Sequence, residues 1–144
     1  MSERIFRVAD ANALVPRLRE IFQAVRADLE AAQRLVAELN RRGFPVSPEK
    51  RSRPAPPDVE RTQEELNRLS ERIAERLEEV RALGAEVKAV DGLVDFRSRL
   101  GGRVVYLCWR FGEERIGFWH ELEAGFAGRQ PLTDPEAFAG DYLQ

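Results

Sequence analysis

The sequence predicts an α+β protein: a long antiparallel helical hairpin of coiled-coil type, packed on a small antiparallel meander of three strands. Three observations carry this. Apolar residues recur at helical spacing from Leu14 to Leu39, and again from Leu66 to Val90. A proline-rich gap separates the two runs. After Asp91 the period shortens to about 2 residues and the composition turns to Val, Phe, Tyr and Trp, as a pleated strand requires.

The first helix is expected over 10–42. Leu14, Leu18, Ile21, Phe22, Val25, Leu29, Ala32, Val36 and Leu39 form its apolar stripe, with charges on the other face. Asp10 is placed as its N-cap, and a kink or restart is expected at Pro16, which cannot donate a backbone hydrogen bond. "RRG" at 41–43 supplies a basic last turn and a glycine stop. The gap, residues 43–58, holds five prolines and reads as a linker. Its Lys50, Arg51 and Arg53, with Arg41 and Arg42 alongside, make a local basic patch.

Asp58 caps the second helix, expected over 59–91, whose Leu66, Leu69, Ile73, Leu77, Val80, Leu83, Val87 and Val90 follow a 3-4 spacing. Phe22, Leu29 and Val36 make the stripe of the first helix wider than a two-helix seam needs. That surplus needs another partner, either the β segment or a second subunit, and a homodimer is the economical one and is predicted.

The meander is expected over 92–123, and an irregular tail that wraps the surface with Leu132, Phe138 and Tyr142 over 124–144. "IFRV" at 5–8 is a candidate edge strand. Gly101-Gly102 is a two-residue turn of the primed type, which opposes Leu100 to Arg103 and Asp95 to Cys108. A second turn centred on Glu113-Glu114 opposes Trp109 to Phe118 and Leu107 to His120. His120 then falls on the apolar, helix-facing side, as a core histidine. The outer side carries Asp95, Tyr106, Cys108, Arg110, Trp119 and Glu121, an aromatic patch ringed by charge that suits an interface or a ligand groove.

Composition bounds the function. The 144 residues are 43% hydrophobic and 33% charged, which suits one domain over 1–144 with a real core. The formal charge of −2 gives no global pull toward nucleic acid, and one cysteine allows no internal disulfide. No secretory leader and no membrane span is legible, so the cytoplasm is the expected location.

No P-loop, nucleophile elbow, zinc-protease or dinucleotide motif is present, and no residue is assigned a catalytic role. Cys108 reads as a structural thiol. The candidate metal ligands are His120 and Glu121, with a divalent metal as the cofactor they would take. Regular strand geometry, however, points neighbouring side chains to opposite faces. The candidate ligand-binding residues are Asp95, Tyr106, Arg110, Trp119 and Arg129, the arginines serving to clamp an anion. "GFAGR" at 125–129 could form a backbone-amide nest.

The segments "ANALVPRL", "GLVDF", "VYLCWRFGE" and "FWHELEAGFAGRQPL" together resemble a bacterial family known only as domain of unknown function 2203. The resemblance covers nearly the whole chain outside the proline-rich linker. It implies a small cytoplasmic bacterial protein and brings no established activity. The family's pattern includes the segments holding Asp95, Tyr106, Trp109, Arg110, Trp119, His120, Glu121 and Arg129. This chain departs from it at Arg97, where a proline is expected after the phenylalanine.

The leading functional expectation is a small non-catalytic interaction or scaffold protein that forms a homo-oligomer. The first alternative is a metal- or small-anion-binding protein, or an enzyme of that kind, with its site around His120 and Glu121. The second is nucleic-acid binding through the basic linker, tested by deleting residues 48–57.

Overall fold

The computed structural model describes residues 4–46 and 54–140. The linker residues Lys50, Arg51 and Arg53, and Tyr142 of the tail, lie outside them. Two helices, α1 (Val8–Arg41) and α2 (Pro57–Ala82), precede an antiparallel sheet, so the chain is α+β. The sheet holds β1 (Glu86–Ala89), β2 (Leu93–Leu100), β3 (Arg103–Arg110), β4 (Phe118–Glu121), β5 (Gln130–Pro131) and β6 (Phe138–Ala139). Its order is β1-β2-β3-β4-β5, with β6 paired to β2 beyond β1.

Backbone contacts group the chain into two compact units, Gln23–Arg76 and the remainder. Within Gln23–Arg76 the helices run antiparallel. Arg42 pairs with Asp58 at 2.8 Å and Arg72 with the buried Asp28 at 2.7 Å. Their core is Leu39, Val59 and Leu66, with Leu35, Val36 and Phe44 packed against it.

The other unit packs the first turns of α1 on one face of the sheet. Phe22 meets Trp109 with ring centroids 6.1 Å apart, and Phe6 meets Phe96 edge-on at 5.0 Å. Val15, Leu18 and Ile21 are buried with them. Each such side chain contributes about 1.5–3 kcal/mol by leaving water. Of the flank residues, Phe22 is buried against the sheet and Val36 is partly buried on the Leu39, Val59 and Leu66 core. Among the described residues no helix is long and apolar enough to cross a membrane.

Several element bounds differ from expectation. α1 begins at Val8, so Asp10 is not its cap. The Asp10 carboxylate instead reaches back to accept the Arg7 amide at 3.2 Å. Pro16 sits inside a continuous helix, with no restart. Asp58 likewise lies in the first turn of α2 and is spent on Arg42.

α2 stops at Ala82, because Gly84 adopts φ 98°, a left-handed conformation open to glycine. Val87, given to the helix by its spacing, belongs to β1, and Val90 to the turn after it. "IFRV" forms no strand. Ile5 to Arg7 are irregular, Val8 opens α1, and Phe6 donates a single amide hydrogen bond to the Arg97 carbonyl. The meander of three strands is therefore part of a larger sheet, and the tail is not wholly irregular, since β5 and β6 belong to it.

Candidate functional site

Gly101 and Gly102, at φ 60° and 85°, form the expected tight turn and fix the β2–β3 register: Leu100 opposes Arg103, Phe96 opposes Leu107, and Asp95 opposes Cys108. The β3–β4 register is one residue from expectation. Tyr106 opposes His120, Leu107 opposes Trp119, and Cys108 opposes Phe118. A one-residue slip exchanges the faces of a whole strand. His120 therefore leaves the helix-facing side and joins Asp95, Tyr106 and Cys108, while Trp119 moves to the other face and packs on Phe138 at 5.9 Å.

The slip comes from the connection 111–117. The Glu113 amide bonds back to the Arg110 carbonyl, starting the reversal early. The Ile116 amide donates to Asn12 Oδ1 of α1 at 2.7 Å.

The second face was expected to be an open patch, yet its centre is buried. Asp95 is 3% exposed, Cys108 0%, His120 2% and Tyr106 6%. One ligand atom each from Asp95, Cys108 and His120 lies within 4.8 Å of the others. His120 Nε2 is 3.1 Å from Asp95 Oδ2, and Nδ1 is 2.7 Å from the Glu121 carbonyl oxygen. Oδ1 of Asp95 is buried with no hydrogen-bond partner among the described residues, an expensive omission for a carboxylate. Burial pushes the Asp95 carboxyl above its usual range, against the opposing pull of the His120 charge, of a hydrogen bond from the Cys108 thiol and of Lys88. Burial, and then the Asp95 charge, push the Cys108 thiol up to about 12.

A polar cluster flanks the three. The Tyr106 ring lies 5.4 Å from that of His120, and its hydroxyl donates to Glu86 Oε1 at 2.8 Å. Glu86 also holds Lys88 at 3.1 Å and Arg97, the residue in place of the expected proline, at 2.8 Å. Burial pushes Glu86 up, but the Tyr106 hydrogen bond and the Lys88 and Arg97 contacts outweigh it, so the group sits below the usual glutamate range.

The other candidates are not part of the cluster. Glu121 contributes only its carbonyl, since its carboxylate pairs with Arg103 at 2.6 Å on the opposite side of the strand. Arg129 is bound to Glu113 at 2.5 Å and stacks 3.8 Å over Phe118. Arg110 is exposed, its guanidinium 5.3 Å over the Phe126 ring. "GFAGR" forms a short 3-10 turn over Phe126–Gly128. A cavity of about 850 Å³ opens elsewhere, at the start of α1 between Arg7, Asn12, Arg115 and Phe138, and shares no lining residue with the cluster.

Residues 4–132 match the family described as "Uncharacterized conserved protein (DUF2203)". The chain belongs to this family. No curated protein and no solved structure matches it. The DUF2203 match spans all three clustered residues together with Glu86 and Tyr106. Asp95 and His120 are legible in the sequence as candidate ligands, whereas Cys108 reads there as a structural thiol. The usable signal was its place opposite Asp95 across the glycine turn.

The cluster is poorly set for nucleophilic catalysis. Both ring nitrogens of His120 already face oxygens, and a thiol pushed up to about 12 is neutral near pH 7. Imidazole, thiolate and carboxylate converging in a buried space are a donor set for a borderline-soft divalent ion.

Proposed function

We propose that this protein binds one divalent transition-metal ion, with zinc the best match, through Asp95, Cys108 and His120. The observation that carries this is the unpartnered Oδ1 of Asp95. It is a buried carboxylate oxygen of a residue that, with Cys108 and His120, offers one ligand atom each within 4.8 Å of the others. A cation supplies the missing partner. It also offsets the cost of burying the carboxylate, and it turns the Cys108 thiol into a thiolate ligand despite its high resting pKa. Compared with the sequence-based pair His120 and Glu121, Asp95 and Cys108 take the place of Glu121.

The test is zinc content of protein purified without chelator, reloaded with excess zinc and desalted, for wild type, C108S and H120A at matched folding by circular dichroism. About one zinc per chain is expected in the wild type, as a three-residue donor set requires. Both variants should be largely empty. A wild type that retains no zinc, or variants that retain as much as wild type, would overturn the reading.

A further inference from the structure

We propose that Glu86 is the fourth ligand of this centre, closing it into a site of four protein groups, an inference that rests on the metal-binding reading above. The sheet supports it by position. Glu86 of β1 directly opposes Asp95 of β2, and Asp95 directly opposes Cys108 of β3. His120 of β4 opposes Tyr106, two residues before Cys108, and shares its face. Four adjacent strands thus each bring one metal-competent side chain to the same side of the sheet.

Directly opposed residues have Cβ atoms about 5 Å apart, a gap that a glutamate side chain spans by rotating its free torsions. Glu86 stands outside the 4.8 Å set because its oxygens are held by Tyr106, Lys88 and Arg97. These donors are compatible with a swing toward the metal. A carboxylate that ligates through one oxygen can keep Tyr106 on the other. Lys88 contacts the same oxygen as Tyr106 and stays with it, so only Arg97, with its side chain 24% exposed, has to shift aside to free Oε2.

Charge favours the same arrangement. Asp95, thiolate Cys108 and Glu86 bring three negative charges to a divalent ion, and the surplus falls beside Lys88 and Arg97. Four protein ligands leave no position for a reactive water, so the centre holds its ion rather than activating a substrate on it.

The experiment compares wild type, E86Q and E86D by zinc affinity against a chromophoric chelator, and by the visible spectrum of the cobalt(II) form between pH 6 and 9. Metal-free melting temperatures are matched first. E86Q should bind zinc at least about tenfold more weakly, since the loss of even an outer-shell partner of a metal ligand costs about that much. Its cobalt spectrum should change and become pH-dependent, because a titratable water replaces the carboxylate, whereas the wild-type spectrum stays constant. E86D should recover part of the affinity.

A wild type that binds neither ion overturns both the metal reading and this inference. A wild type that binds, with E86Q matching it in affinity and spectrum, overturns the inference alone. Weaker binding by E86Q with an unchanged spectrum also overturns it, since Glu86 would then act from outside the coordination shell.

Discussion

His120 bridges Asp95 and the Glu121 carbonyl, with Nε2 at 3.1 Å from one and Nδ1 at 2.7 Å from the other. A carbonyl only accepts, so Nδ1 carries a proton, and the Nε2–Asp95 contact then needs one further proton on either partner. An asparagine can fill that role without charge by donating its amide to Nε2. The variant D95N should therefore keep the metal-free fold at least as stable as wild type while losing zinc binding. D95A leaves Nε2 buried without a partner and should cost about 1–3 kcal/mol. Chemical denaturation of the three metal-free proteins checks the order. A D95N protein less stable than D95A would show that the bridge does not work through its hydrogen bond.

Cys108 is fully buried and its thiol is pushed up to about 12. Against an ordinary thiol near 9, the thiolate fraction at a given pH falls by about a thousandfold, and access is blocked as well. Alkylation by iodoacetamide at pH 8 should be negligible in the native, metal-free protein and complete once guanidinium unfolds it, read by intact mass. Rapid native alkylation would place Cys108 at an accessible, activated position and argue against the burial described here.

What could be read from the sequence depended on how locally each register is set. Gly101 and Gly102 permit one tight turn, and from it Asp95 against Cys108 follows by counting. His120 could not be placed that way. The connection 111–117 is long enough to allow either parity, and its course is held by Asn12, which is 104 residues from Ile116 along the chain. Val87 and Val90 continue the helical spacing of α2 by coincidence, and the single Gly84 was the only local sign that the helix ends. β5 and β6, two residues each, are too short to show a period at all.

Asp10 supplies the pH prediction. The Arg7 side chain holds its carboxyl below the usual aspartate range, burial opposes it with a lesser effect, and the Arg7 amide adds a smaller pull downward. The folded-state pKa is lower than the unfolded one, so the contribution is present above the unfolded value, near 3.8, and is lost as pH falls through the folded value. D10N should lower stability at pH 7 by about 0.5–1 kcal/mol, the size of a first-turn carboxylate effect with the Asp10 side chain 23% exposed. The gap between wild type and variant should close as pH falls from 5 to 2. Thermal unfolding across that range reads it, and a gap that widens in acid would reverse the sign.

Asn12 ties the start of α1 to the entrance of β4, and through that strand to His120. Its Oδ1 accepts the Ile116 amide at 2.7 Å, and Ile116 itself is buried. N12A leaves that amide without its acceptor and should cost about 1–3 kcal/mol. N12D keeps an acceptor at the same place and should cost less. The consequence reaches the site, because the β3–β4 register decides which face His120 occupies. At temperatures where the variant is still folded, N12A should bind zinc more weakly than wild type although Asn12 belongs to neither the clustered residues nor their immediate partners. N12D should recover most of that affinity. Equal zinc affinity in all three proteins, with the stability loss present, would mean that β4 holds its register without Asn12.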